Sequence, residues 1–153
     1  MKDPNHIDDL DKRILSALLQ DARAPLVDLA KKFHVSHGTV HTRIEKLRTQ
    51  GIISGSKITL DLKKLGFDVC CFIGINLKSA KDYTIVIKQL KLFDEVVEVH
   101  YTTGGYNIFA KVITKSIEEL QNFLVKKLQA ISEVQSTETL ISLETPLSRD
   151  VLP

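Results

Sequence analysis

The run Ser36 to Thr49, SHGTVHTRIEKLRT, interleaves hydroxyls, imidazoles and cations with apolar residues at helical spacing. Val40, Ile44 and Leu47 fall on one stripe. The opposite side then carries Gly38, Thr42, Glu45, Lys46 and Thr49, with Thr39 and His41 on its shoulders and Arg43 and Arg48 flanking the stripe. Small polar residues and cations on a solvated helix suit the major groove of double-stranded DNA, although an ordinary solvated face reads the same way. The expected roles follow from side-chain chemistry. Ser36 and the helix N-terminus would hold a phosphate. His37 would meet the groove, and Thr39, His41 and Thr42 would touch base edges. Lys46 and Arg43 would reach backbone oxygens, with pairing to a carboxylate such as Asp28 as the rival role for Arg43.

Two further stretches could bind a small molecule. Thr102-Thr103-Gly104-Gly105-Tyr106-Asn107 combines hydroxyls, a phenol and an amide with glycines that admit close approach of a backbone. A hairpin turn needing φ > 0 gives the same signal. Gln135-Ser136-Thr137-Glu138-Thr139 is a polar run within a strand, either solvated or a patch for a zwitterion. His37 and His41 have the i, i+4 spacing that a metal bridges, but the Glu of H-E-x-x-H and a third ligand are missing, so no metal is expected. Nucleophile-elbow, phosphate-loop and paired C-x-x-C patterns are absent, and His100 is a lone strand histidine; no enzyme activity is expected. Cys70 and Cys71 are adjacent, which in a strand turns them to opposite faces and fits reduced thiols.

These groups need elements to position them. Leu10, Ile14, Ala17 and Leu18 stripe a first helix opening at Ile7-Asp8, with Asp8, Asp9 and Asp11 at its positive end. Residues 1–6 are expected to fray. Leu26, Leu29, Ala30 and Phe33 stripe a second helix, with Pro25 suited to its first turn. Only His34 and Val35 separate Phe33 from the Ser36 cap, so the second and third helices pack as a helix-turn-helix. The turn position at His34 tends to need φ > 0. Ile52 to Ile58 reads as a short wing or linker strand, and Asp61 to Gly66 closes the first domain.

Beyond it, a strand–helix–strand pattern occurs twice. Asp68 to Lys78, a helix striped by Tyr83, Val86, Ile87 and Leu90, and Glu95 to Thr103 form the first copy. Tyr106 to Thr114, a helix striped by Ile117, Leu120, Leu124 and Leu128, and Val134 to Leu143 form the second. Each helix follows a Lys-Ser start with a capping pattern. Tandem β-α-β units predict a four-stranded antiparallel sheet with both helices on one face, the ferredoxin-like arrangement. Val69, Cys71, Ile73, Ile75 and Leu77 are expected to face the helices, leaving Cys70, Phe72, Gly74 and Asn76 outside. Phe109 and Ile113 add apolar surface there, which predicts cover by a second copy in a two-fold dimer.

Length and charge agree with this division. The chain of 153 residues has 43% hydrophobic and 26% charged residues and a net charge of +2. Residues 1–66 carry a net charge of +4 and four of the five histidines, whereas residues 67–153 carry −2. DNA binding therefore belongs to the first part. The start of the chain has no apolar leader, and the run Val69 to Ile75 is too short to span a bilayer.

Across nearly its full length the chain resembles the Lrp/AsnC family of bacterial regulators, through IDDLD, LVDLAKKFHVS, TVHTRIEKLRTQGIISG, CCFIGINLKSAKDY, TTGGYN and QSTETLI. The resemblance implies an α+β chain: a winged helix-turn-helix domain over residues 1–66 and a ferredoxin-like ligand-binding and oligomerisation domain over 67–153. It implies a cytoplasmic, sequence-specific transcriptional regulator of amino-acid metabolism genes and of its own gene. Dimers would assemble into octamers, with an amino-acid effector, L-asparagine, bound between dimers. The positions matching the family's ligand region are Tyr101, Thr102, Thr103, Gly104 and Tyr106, with Gln135, Ser136, Thr137 and Glu138 opposite. Asn107 stands where many members carry an acidic residue. Chains of this architecture also resemble sirohaem decarboxylases, and a non-sensing architectural DNA-binding protein is a third class.

Overall fold

The computed structural model describes residues 7–153; the expected fraying of residues 1–6 lies outside them. The chain divides into two compact units, one running up to Thr59 and including Leu147–Pro153, the other Leu60–Pro146. The sequence boundary at 66/67 falls just after a 3-10 turn, Lys63–Leu65, whose Leu62 carbonyl accepts the Leu65 and Phe67 amides at 3.1 and 2.9 Å.

The first unit holds α1 (Asp9–Gln20), α2 (Leu26–Phe33) and α3 (His37–Thr49). Asp8 caps α1 by accepting the Asp11 amide at 2.9 Å, and Asp11 accepts the Asp8 amide in return. Ile14, Leu29, Phe33, Val40 and Ile44 form its core, with Leu10, Leu18 and Leu26 packed against it. Between α2 and α3, His34 adopts the left-handed conformation at φ 56°, as the turn requires. Ile52 to Ile58 forms no strand among the described residues. The Ile52 and Ile53 amides instead close on the Leu47 carbonyl at 3.0 and 3.1 Å, which winds the chain back over the end of α3.

The second unit contains β1 (Val69–Leu77), α4 (Tyr83–Leu90), β2 (Val96–Tyr101), β3 (Ile108–Thr114), α5 (Ile117–Asn122) and β4 (Val134–Ile141). The strands form one antiparallel sheet in the order β2-β3-β1-β4. Val69, Cys71, Ile73, Ile75 and Leu77 are buried with Val86, Leu90 and Leu120, as the period-two pattern requires. Burial pushes the Cys71 thiol up to about 11, with the neighbouring Cys70 adding to the shift.

The last helix departs from expectation. After Asn122 the backbone continues as a π-helical stretch, Phe123–Leu128, with the Gln129 amide bonding the Leu124 carbonyl at 2.9 Å. The wider turn places Phe123 and Leu128, five residues apart, together in the core. Ile117, expected in the stripe, is instead 57% exposed, while Phe123 is 1% exposed and meets Phe93 edge-on at 5.8 Å. Among the described residues, no helix is long and apolar enough to cross a membrane.

Candidate DNA interface and ligand site

The N-terminus of α3 is built by Ser36. Its Oγ accepts the Thr39 amide at 3.0 Å and lies 2.8 Å from Thr39 Oγ1, so the two hydroxyls lock the first turn. His37, Gly38, His41 and Thr42 are exposed on the outer side of the helix, and Thr39 is half-buried. Val40, Ile44 and Leu47 point inward and fix the rotation of that face.

Arg43 and Lys46 are positioned differently from the expected phosphate contacts. Arg43 Nη1 donates to Asp8 and, at 3.2 Å, to Asp11; Lys46 Nζ donates to the other Asp11 oxygen at 3.1 Å. The rival role for Arg43 is therefore realised, but with α1 carboxylates in place of Asp28. Asp11 is fully buried. Its charge is held by the two α3 cations and the Asp8 amide, the kind of pairing a buried carboxylate needs. The Asp11 amide, followed by the Arg43 guanidinium, holds the Asp8 carboxyl below its ordinary value. The sequence signal was the group of acids at the positive end of the first helix, which placed these carboxylates but not their partners. Arg48 pairs with Glu45 on its own helix at 2.7 Å.

In the second unit, Thr102–Asn107 is the β2–β3 hairpin loop. The Thr102 amide bonds the Asn107 carbonyl at 3.0 Å, and Thr102 Oγ1 donates to the Tyr106 carbonyl at 2.8 Å. Gly104 sits at φ 114°, a conformation open to glycine. Asn107 anchors the loop through its side chain, whose Oδ1 accepts the Leu77 amide at 2.9 Å and ties the loop to the end of β1.

The sheet register sorts the candidate ligand residues. Tyr101, Ile108, Ile75 and Thr137 form one row across the four strands, on the helix side; His100, Phe109, Gly74 and Glu138 form the next, on the outer side. Tyr101 packs against Tyr83 of α4 with ring centroids 4.4 Å apart and the planes tilted by 57°. On the outer side the Tyr106 ring lies over Gly74, and its hydroxyl donates to Glu138. That bond, ahead of desolvation and the Glu138 charge, raises the Tyr106 phenol above its ordinary value. Ser136 Oγ accepts from Asn76 Nδ2 at 3.2 Å on the same side. Thr103, Gly104 and Gln135 are exposed.

The structure thus pairs the Tyr106 and Glu138 side chains on the outer side, holds the Thr102 hydroxyl on the Tyr106 backbone carbonyl, and leaves Tyr101 and Thr137 on the other face. Three strand spacings, about 14 Å, separate Tyr101 from Thr137, further than one amino acid reaches. Gly74 is the site residue that sequence reasoning missed; a lone glycine within an apolar strand was its signal. His100, exposed on the outer side, lies 3.8 Å from Glu98. Among the described residues no cluster of three His, Cys, Asp or Glu side chains is placed to hold a metal.

Comparison with known proteins bears on both units. The AsnC-type helix-turn-helix domain matches residues 7–48, and the Lrp/AsnC ligand binding domain matches residues 70–152. The regulatory protein AsnC of Haemophilus influenzae is 58% identical over 149 residues, covering 97% of this chain and 99% of that protein. The regulatory protein AsnC of Escherichia coli K12 is 53% identical over 147 residues, covering 96% of this chain and 97% of its own length. The solved structure of E. coli AsnC superposes with a TM-score of 0.93 at 52% identity, covering 97% of this chain and 99% of that one.

Proposed function

The chain belongs to the Lrp/AsnC family and is a DNA-binding transcriptional regulator, and from that premise we propose that L-asparagine is the effector it answers to, in the cytoplasm. The observation that carries this reading is the outer-face arrangement of Tyr106 and Glu138 across Gly74. A fixed carboxylate suits the effector's ammonium group. The Thr102–Gly104 turn offers hydroxyls and an accessible backbone for its carboxylate, and Gln135 and Ser136 offer partners for its carboxamide. Tyr101 and Thr137, on the helix side of the sheet and too far apart to close on one such molecule, stand outside this arrangement.

On the DNA side, His37, His41 and Thr42 meet base edges, and Ser36 with Thr39 presents the α3 N-terminus to a phosphate. Arg43 and Lys46 contribute by holding α3 against α1 through Asp8 and Asp11. Dimers form through the outer sheet face and assemble further, to octamers. The effector acts through different affinities for two assembly states or spacings, since a ligand that binds both equally shifts nothing.

The test pairs calorimetry of L-asparagine with a gel shift on the chain's own upstream DNA. The expected result is saturable binding together with a changed operator affinity or a changed assembly mass. Unchanged operator affinity and unchanged mass at saturating asparagine would remove the effector assignment.

A further inference from the structure

The cations of the first unit are distributed against expectation. The three on α3 are engaged within the protein: Arg43 with Asp8 and Asp11, Lys46 with Asp11, and Arg48 with Glu45. A different set lies on the flank where α1 meets α2. There a shallow cleft of about 400 Å³ is lined by Lys12, Arg13, Ser16, Gln20, Lys32 and Phe33. The Arg13 guanidinium sits 4.7 Å from the Phe33 ring centroid and the Lys32 ammonium 5.8 Å from the same ring. Lys31 is exposed beside them in the last turn of α2.

Among the described residues none of Lys12, Arg13, Lys31 and Lys32 makes an ion pair. The carboxylates Asp9 and Asp28 stand four residues before Arg13 and Lys32, the spacing at which helical pairs form, yet neither pairs with them. Instead both cations turn onto one aromatic ring. Phe33 is 7% exposed and therefore fixed. A guanidinium stacked on it keeps its N–H edge available for an oxyanion, with much of its rotamer freedom already lost.

We propose that this α1–α2 cleft is a DNA phosphate clamp, in which Arg13 and Lys32, supported by Lys12 and Lys31, grip the backbone strand beside the groove that α3 enters. The inference rests on the reading of α3 as the groove helix. Its geometry follows from the turn. Lys31 and Lys32 precede His37 by only a few residues, and the left-handed turn at His34 feeds the last turn of α2 directly into the first turn of α3. A helix about 10–12 Å across fills a major groove about 12 Å wide, so phosphates run along its flanks. An unpaired cation cluster beside the entering end of the helix meets one of those walls. The clamp would supply affinity without sequence information, leaving base readout to α3.

The experiment measures the affinity of the full chain for its upstream DNA and for a random duplex over a series of salt concentrations. It compares the wild type with R13Q/K32Q and with a charge-matched control, K88Q/K126Q, on exposed positions of the second unit. Removing two phosphate contacts lowers the salt slope by about 1.8, at about 0.9 for each contact, and weakens both duplexes by roughly tenfold or more near 0.1 M salt. The control leaves the slope unchanged. A thermal melt of R13Q/K32Q close to wild type separates this loss from unfolding; if the melt falls sharply, R13K/K32R, which keeps both charges, restores the slope.

Wild-type binding with the same slope in R13Q/K32Q overturns the clamp while leaving the DNA-reading assignment of α3 standing; the cleft would then face an acidic protein surface. An equal loss in K88Q/K126Q overturns it in favour of net charge alone. A wild type that binds neither duplex removes the premise together with the clamp.

Discussion

Gly74, Tyr106 and Glu138 act as one unit. A Cβ at Gly74 would stand 2.6 Å from two Tyr106 ring carbons, so G74A must push the ring off the strand. The expected cost is about 1–3 kcal/mol of stability from overpacking, read from urea unfolding. L-asparagine affinity should fall in parallel, because Glu138 loses the hydroxyl that orients it. Y106F separates the two effects: the ring stays, the hydrogen bond goes, and effector affinity falls with little loss of fold. The raised Tyr106 phenol adds a pH signature. Its folded-state value lies above the ordinary 10.0, so its contribution is complete below that value and is lost as pH rises through the raised one. Wild type should therefore lose stability on the alkaline side more steeply than Y106F; parallel curves would argue against the bond. Tyr106 and Glu138 are both legible in the sequence as candidates. Their pairing is not, because it depends on register across two strand pairings.

Among the elements, the helix-turn-helix was the most legible. Its stripe, its cap at Ser36 and its positive-φ residue at His34 are local features, and each is decided within a few residues. The last helix was less so. Counting apolar residues at i, i+3 and i+4 selects Ile117, Leu120, Leu124 and Leu128, and an unbroken α-helix would bury them. Leu120 and Leu128 are buried as counted, the π-helical stretch adds Phe123 to the core beside Leu128, and Ile117, in the first turn, is exposed. F123A should accordingly cost about 3–5 kcal/mol, as for a large buried aromatic. I117A should stay within about 0.5 kcal/mol, as expected of a surface change. Both are read from denaturant midpoints, and equal costs would contradict the observed helix register. The wing fared differently again. Ile52 and Ile53 have strand-forming side chains, but their amides are taken by the Leu47 carbonyl.

For the whole molecule, the outer sheet face sets the expected assembly. Phe72 stacks on Phe109 at 5.8 Å, Tyr106 tilts against Phe109 at 6.3 Å, and Leu140 beside them is 48% exposed. Aromatic and aliphatic surface of this kind on one face calls for cover. L140D places a charge at its edge without entering the core. Sedimentation should show a smaller assembly than wild type, with the monomer fold intact by circular dichroism. An unchanged mass would place the dimer contact elsewhere. Smaller assemblies would also weaken operator binding, since they bring fewer reading heads to the DNA.

Sequence alone determined what local rules decide. The apolar periods specified three helices and then two β-α-β units, the caps specified where the helices start, and the charge split indicated which half meets DNA. Only the tertiary structure decided which groups meet across the chain. It gave Arg43 and Lys46 to Asp11, laid Tyr106 over Gly74 to reach Glu138, set Tyr101 and Thr137 on the far side of the sheet, and left Arg13 and Lys32 open beside Phe33. The physical reason is that a side chain's direction follows from its own backbone, whereas its partner depends on the register and packing of segments far away along the chain.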